Sequence, residues 1–169
     1  CAVAISTAKN WLMRPLYPET TTEIGPVPVV PYAQPLTEEL AENIGRAYAT
    51  YLQAETVVVG RDMRPHSAPL AEALFRGLTA QGVKATHIAV VSTPMNYFAN
   101  GTLGVDGSIM ITASHNPGEY NGFKMCRRGG LPLSGDEGIK DIEKIICNDN
   151  YAPAAGGGAV KTADLKEQY

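Results

Sequence analysis

The stretch Gly107-Ser-Ile-Met-Ile-Thr-Ala-Ser-His-Asn-Pro117 decides the fold, because an apolar strand pattern runs directly into a turn-forming loop. Residues 109–111 form an apolar run bounded by small residues, which is typical of a buried strand in an α/β sheet. The tripeptide Asn116-Pro117-Gly118 favours a turn. Loops at the carboxyl ends of parallel strands are where such sheets bind ligands, so Ser114 is predicted to present a hydroxyl nucleophile there.

A second turn signal and a cation follow this loop. Asn121-Gly122 marks the turn, and Lys124 comes ten residues after Ser114. On a strand that returns beside the first one, such an ammonium lies near the loop and offers a compact charge to a bound phosphate. These residues indicate an anion site at the serine.

The block of residues 107–126 resembles the α-D-phosphohexomutases. Thr-Ala-Ser-His-Asn-Pro stands at its centre, and Glu-Tyr-Asn-Gly-Phe-Lys follows. It is similar to the phosphomannomutase/phosphoglucomutase branch, whose active-site serine is phosphorylated and exchanges its phosphoryl group with a sugar phosphate. The resemblance extends from about residue 36 to residue 146.

The resemblance implies roles for four residues of this block. Ser114 falls on the phosphorylated serine, which would also bind magnesium through its phosphate. His115 is implied as a second catalytic residue, and Lys124 falls on the basic residue that assists phosphoryl transfer. Asn116 falls on a companion of the serine and is implied in substrate binding.

Upstream, Thr56-Val-Val-Val-Gly-Arg-Asp-Met-Arg64 is similar to the family's second strand and the loop after it. Residues 57–59 are β-branched and suit an interior strand. Arg61 and Arg64 are predicted just past its end, where they would support the phosphoserine loop and bind substrate.

Residues 1–35 depart from the family pattern. Members carry an Asp-Ile-Arg-Gly-like element whose arginine helps to organise the active site, whereas this chain has Thr22-Glu-Ile-Gly-Pro26 there. Six of the twelve prolines also lie in this segment, which argues against a regular first strand. The prediction is a divergent, proline-rich N-terminal segment without a catalytic role.

Alternating helix and strand patterns predict an α/β fold, a three-layer αβα domain with a mixed, mostly parallel sheet. Thr37 is a predicted helix cap, and Gly82 is a predicted helix stop. Predicted helices cover 37–52, 67–81 and 94–103; predicted strands cover 57–59, 86–91, the run before Ser114 and the return 123–127. Ser134 to Glu137 reads as a capping box for a closing helix.

The length of 169 residues suits one domain with a sizeable core. Residues 36–150 are expected to be phosphohexomutase domain I, which carries the phosphoserine loop. Residues 151–169 contain an Ala/Gly-rich stretch and are expected to be a linker or the start of a second domain. Because the family builds its active site between four domains, the resemblance implies the first domain only, inactive when isolated.

The resemblance also implies a reaction. A phosphohexomutase interconverts hexose 1-phosphate and hexose 6-phosphate through a phosphoserine and a bisphosphorylated sugar. Its cofactors would be Mg²⁺, held mostly by an Asp-rich loop of the second domain, and hexose 1,6-bisphosphate as activator. Its partners would be hexose phosphate and the remaining mutase domains.

Composition narrows the classes of partner. With 44% hydrophobic residues and a formal net charge of −3, the chain has no broad basic surface, so no nucleic-acid partner is expected. Neither a membrane-span pattern nor the order of a secretory signal occurs, so no membrane partner is expected and a cytoplasmic location is predicted. The three cysteines have no zinc spacing, and reduced thiols are expected.

Two other functions are alternatives. A non-catalytic or degenerate phosphate-binding domain would account for the missing arginine and metal loop. A serine hydrolase would use Ser114 and a histidine. However, His115 is adjacent in sequence and the chain has no Gly-x-Ser-x-Gly elbow, which disfavours the hydrolase.

Overall fold

The computed structural model describes the backbone of residues 12–15 and all of residues 36–118, 120–135, 137–154 and 156–169. The helices are α1 (Glu38–Leu52), α2 (Ser67–Ala80), α3 (Thr93–Leu103) and α4 (Ile139–Cys147). The strands are β1 (Leu12–Pro15), β2 (Thr56–Arg61), β3 (Lys84–Val90), β4 (Gly107–Ile111), β5 (Tyr120–Arg127) and β6 (Ala159–Thr162).

The strands form one sheet in the order β1-β5-β4-β2-β3-β6. Strand β2 pairs in parallel with β3 and β4, and β6 pairs in parallel with β3. Strand β5 returns antiparallel beside β4, and β1 pairs antiparallel with β5. The predicted mixed, mostly parallel sheet is confirmed, and β2, β3 and β4 end at one edge.

Apolar side chains cover both faces of the sheet. Val57 and Val59 belong to a core on the side of α1, α2 and α4. Val58 and Met110 point to the opposite core, which includes residues of α3. Because successive strand residues face opposite sides, two apolar faces require helices on both, and the predicted three layers are confirmed.

Local signals set several helix ends. The Thr37 side chain accepts a hydrogen bond from the Leu40 amide at 3.1 Å and caps α1 as predicted. Ser92 caps α3 in the same way, with Pro94 in the first turn. Helix α2 ends one residue earlier than predicted, and Gly82 follows with φ of 84°.

The predicted capping box of α4 is wrong. The helix begins at Ile139, and its N-cap is Gly138, which has φ of 104° and makes no side-chain cap. The Ser134 hydroxyl does accept a hydrogen bond from the Glu137 amide at 3.0 Å, but in a turn that precedes the helix. A left-handed glycine between that turn and the helix separates the sequence signal from the helix start.

The N-terminal segment contains a strand that the prolines argued against. In β1, Leu12 lies opposite Phe123 and Pro15 lies opposite Tyr120. The expectation was wrong for these four residues because an edge strand tolerates a proline at its end. The other residues of 1–35, including Thr22 to Pro26, lie outside the described part of the chain.

The C-terminal segment packs onto the domain. The Ala159 amide donates to the Val83 carbonyl at 3.2 Å and begins β6 at the edge beside β3. Before β6, the Tyr151 ring lies under the Arg46 guanidinium of α1, at 4.0 Å. After β6, Leu165 is buried in the core on the α3 side. A domain boundary near residue 150 stays a prediction. Among the helices described, none has both the length and the apolar surface that a membrane span requires.

Helices α1 and α2 cross at two glycines. A Cβ atom on Gly77 would lie 2.0 Å from the Glu42 carbonyl oxygen, and one on Gly45 would lie 2.5 Å from the Leu74 carbonyl oxygen. Backbone atoms cannot move aside as a flexible side chain can. The two helices therefore approach this closely only with glycine at both positions.

Replacing Gly77 with alanine is expected to lower the free energy of unfolding by about 1–3 kcal/mol, although alanine is the better helix former. The reason is overpacking against the α1 backbone. Urea unfolding of the 169-residue chain measures the change. Gly101→Ala is the matched control: a Cβ at this α3 position meets nothing within 4 Å, so stability should rise by about 0.5–1 kcal/mol. Equal effects of the two substitutions would contradict this packing.

Candidate functional site

The loop after β4 presents Ser114 to solvent. The Ser114 backbone has φ of 56°, in the left-handed region that non-glycine residues rarely adopt. Its amide donates to the buried Thr112 hydroxyl at 3.0 Å. A left-handed non-glycine residue costs about 1 kcal/mol or more, so contacts of the surrounding loop must compensate.

Arg64, in the loop after β2, holds the serine loop. Its Nε donates to an Asp62 carboxylate oxygen at 3.1 Å. Its terminal nitrogens donate to four backbone carbonyl oxygens, those of Ser114, Asn116, Pro117 and Tyr120, at 3.3, 2.7, 2.5 and 3.0 Å. A guanidinium has five N–H donors, and here it has five protein acceptors. Arg64 thus holds the loop in position, and its predicted contact with substrate stays a prediction.

Asp62 orients Arg64 and was not predicted as a site residue. One oxygen of its carboxylate accepts from the Arg64 amide at 3.0 Å, and the other accepts from Nε of the same residue. Its own amide donates to the Ile111 carbonyl at 2.9 Å, which ties the loop to β4. The available signal was an aspartate two residues before an arginine at a strand end, the spacing of an Asx turn.

Asn116 closes the turn that carries the serine. Both its side-chain Nδ2 and its backbone amide donate to the Ala113 carbonyl, at 2.9 and 3.1 Å. His115, between Asn116 and Ser114, is exposed. The predicted catalytic role of His115 and the predicted substrate contact of Asn116 stay predictions.

Lys124 lies on the returning strand, as predicted. It pairs with Met110 across the β4–β5 ladder and is partly buried. Burial lowers the pKa of the Lys124 ammonium, and the neighbouring Cys126 acts in the opposite direction. Its alternation with Phe123, which belongs to the α1 side of the core, places Lys124 on the face of the sheet covered by α3.

Arg61 is the last residue of β2, one step earlier than predicted. Its Nη1 donates to the Asp62 carbonyl at 3.2 Å, so it adjoins the loop that holds the serine. The His87 imidazole lies near enough for the charge of Arg61 to add to burial in lowering the pKa of that histidine. Arg61 therefore brings a positive charge to the carboxyl edge of the sheet.

Metal ligands are scarce around this loop. Across the part of the chain that the structure describes, no group of three His, Cys, Asp or Glu side chains is placed to hold a metal ion. The hydroxyl of Ser114 is the exposed oxygen of the loop to which a phosphate can be attached.

The fold and the loop define a class of protein: an αβα domain that presents an anchored serine at the carboxyl edge of its sheet. Residues 28–152 match the family model described as phosphoglucomutase/phosphomannomutase, alpha/beta/alpha domain I. The chain belongs to the phosphoglucomutase/phosphomannomutase family.

Individual proteins of this family are similar to the chain. The phosphomannomutase of Salmonella typhimurium is 43% identical over 136 residues, which cover 79% of this chain and 30% of that protein. A phosphomannomutase of Klebsiella pneumoniae is 40% identical, with 79% of this chain and 87% of that protein covered. A family protein from Burkholderia thailandensis has a solved structure with a TM-score of 0.77 at 30% identity, covering 95% of this chain and 33% of that one.

Replacing Arg64 with alanine is expected to lower the free energy of unfolding by about 2–4 kcal/mol, because it removes the Nε donor from one Asp62 carboxylate oxygen and the guanidinium donors from four backbone carbonyls. Amides of the serine loop should also exchange with solvent faster. Urea unfolding and hydrogen exchange of the chain measure both effects. Arg76→Ala is the control, since this arginine is 53% exposed and pairs only with surface carboxylates among the contacts described; it should change stability little. Equal losses would contradict the role of Arg64.

Proposed function

We propose that this domain carries the phosphoserine of a phosphohexomutase and that Ser114 is the residue that holds the phosphoryl group. The observation that carries the proposal is the exposed Ser114 in a left-handed backbone, anchored from beneath by Thr112 and Arg64. Such anchoring fixes the hydroxyl before substrate arrives, and phosphoryl transfer depends mainly on positioning and electrostatic stabilisation. Family membership supports the same assignment.

The reaction exchanges one P–O bond for another. The bond between phosphorus and Ser114 Oγ breaks, and a bond forms between phosphorus and a hydroxyl oxygen of a hexose phosphate. The proton of that hydroxyl leaves to a base. The resulting bisphosphate reorients in the site and returns its other phosphoryl group to Ser114 Oγ. The net change interconverts the 1-phosphate and 6-phosphate of the sugar.

Lys124 and His115 are the proposed catalytic partners of the serine. The Lys124 ammonium would stabilise charge on the transferring oxygens, and its burial-lowered pKa brings it closer to exchanging a proton at neutral pH. His115 is exposed directly beside Ser114, where an imidazole can accept or donate a proton.

Arg61 and Asn116 are the proposed contacts for the substrate phosphate. Arg61 offers a guanidinium at the edge of the sheet, and Asn116 lies in the serine turn. Arg64 was predicted to share this role, but its donors serve the loop and Asp62. We therefore assign Arg64 to positioning alone.

Magnesium is the cofactor that the family implies. The residues that the structure describes do not form a magnesium site on their own. A phosphate on Ser114 would supply one oxygen ligand, and other ligands would come from another mutase domain. When bound, magnesium would offset negative charge on the transferring phosphoryl group.

The chain spans 30% of the length of the Salmonella relative, so the proposed partners are the remaining mutase domains, a hexose phosphate and a hexose 1,6-bisphosphate activator. A cytoplasmic location is proposed, and free thiols at Cys126 and Cys147 are compatible with it.

The alternative is a domain that binds phosphate without catalysis. It is favoured by the sequence Thr22-Glu-Ile-Gly-Pro26, which lacks the arginine of related proteins. In that case phosphate would associate with the serine loop but would not become covalently attached.

Ser114 is expected to be the main site of phosphate attachment. The experiment incubates a full-length mutase carrying this domain with magnesium and a hexose 1,6-bisphosphate, then maps the added phosphate by peptide mass spectrometry. Ser114→Ala should remove the label. Ser92→Ala, which alters an exposed serine next to the carboxyl end of β3, should keep it. A label on another serine with Ser114 unmodified would refute the assignment, and reversible binding without any label would favour the non-catalytic alternative.

A further inference from the structure

We propose that Asn121 and Ser67 are positioning residues that fix strand β5, and with it Lys124, relative to the Ser114 loop. This inference rests on the proposed function and adds two residues to it. Neither side chain reaches solvent, since both residues are 0% exposed. Their role is therefore to act through other groups and not to touch substrate.

A directed chain of hydrogen bonds begins at Asn121. Its Nδ2 donates to the Ser67 hydroxyl at 2.8 Å, and its Oδ1 accepts from the Gly122 amide at 2.9 Å. The Ser67 hydroxyl in turn donates to an Asp62 carboxylate oxygen at 2.5 Å. A hydroxyl has a single proton, and the carboxylate only accepts, so Asn121 must present its amide donors to Ser67.

The chain ends on the group that holds the serine loop. Asp62 binds both the amide and the Nε of Arg64, and Arg64 binds the carbonyl oxygens of Ser114 and Asn116. Buried hydrogen bonds in series polarise and strengthen one another. A displacement of Asn121 would therefore disturb the orientation of the guanidinium that fixes the loop.

The first three residues of β5 are each bound to this assembly. The Tyr120 carbonyl accepts from Arg64 at 3.0 Å, Asn121 binds Ser67, and the Gly122 carbonyl accepts from the Thr112 amide at 2.9 Å. Lys124 follows two residues later on the same strand. The lysine and the serine are thus carried by segments that share one set of contacts, and misplacement by about 1 Å can slow a reaction roughly 100-fold.

A second asparagine–serine pair provides a matched control. Asn100 of α3 donates through Nδ2 to the Ser108 hydroxyl at 2.8 Å, the same distance, and both residues are 0% exposed. This pair lies at the start of β4, at the opposite end of the strand from the serine loop. It contributes the same type of buried hydrogen bond without a connection to Asp62 or Arg64 among the contacts described.

The experiment compares Ser67→Ala with Ser108→Ala. In the 169-residue chain, hydrogen exchange of the Ser114 and Asn116 amides should accelerate by about 10-fold or more in Ser67→Ala, beyond any change in global stability. Ser108→Ala should not accelerate the exchange of these two amides. In a full-length mutase carrying the domain, Ser67→Ala should slow phosphorylation of Ser114 by the bisphosphate about 10-fold or more, with KM little changed. Ser67→Thr, which keeps the hydroxyl, should recover most of the rate.

Asn121→Ala is the second variant if Ser67→Ala does not fold, because it removes the donor and keeps the contact between Ser67 and Asp62. It should shift exchange and rate in the same direction. Equal effects of the Ser67 and Ser108 substitutions, or faster exchange with an unchanged rate, would overturn the inference. If the unaltered protein is never phosphorylated, the proposed function fails instead. Unchanged exchange in Ser67→Ala would then still refute the positioning role.

Discussion

The contact between Arg64 and the serine loop is the constraint on which the site depends. One guanidinium binds the Asp62 carboxylate and four loop carbonyls. Backbone carbonyls that converge on one point repel one another unless a cation lies between them, so the loop needs this group to keep its shape. These contacts hold Ser114 in a left-handed conformation that a non-glycine residue adopts only at an energetic cost. The Ser114 hydroxyl therefore lies on the solvent-facing side of a turn whose backbone carbonyls are bound to Arg64.

Polar side chains have different roles at the two ends of the sheet. At the carboxyl edge, Asp62 and Arg64 hold a loop that faces solvent. At the opposite end, near the start of β4, the Tyr48 hydroxyl donates to the Cys126 carbonyl at 2.6 Å. Burial raises the pKa of Tyr48 well above its usual value. Burial also raises the pKa of the Cys126 thiol to about 11, so this cysteine stays protonated and unreactive. The first end carries the candidate site, whereas Tyr48 and Cys126 at the second end are closed to solvent.

Much of the fold and the position of the candidate site could be predicted from the sequence. Apolar periodicity indicated the helices and the three layers, and the Thr37 cap was local enough to be read directly. The motif around Ser114 indicated the site. The connection between Ser67 and Asn121 could not be predicted, because it joins side chains 54 residues apart. The start of α4 at Ile139 was missed because the sequence does not specify the positive φ of its N-cap, Gly138. Strand β6 was missed because its pairing with β3 is non-local.

The central claim is that the Ser114 turn is formed before any phosphate or partner domain is present. The most direct test is a high-resolution crystal structure of the unphosphorylated 169-residue chain. The account predicts a positive φ at Ser114, with the carbonyl oxygens of Ser114, Asn116, Pro117 and Tyr120 all bound to Arg64. An extended Ser114 backbone, with Arg64 turned to solvent and those carbonyls bound to water, would contradict it.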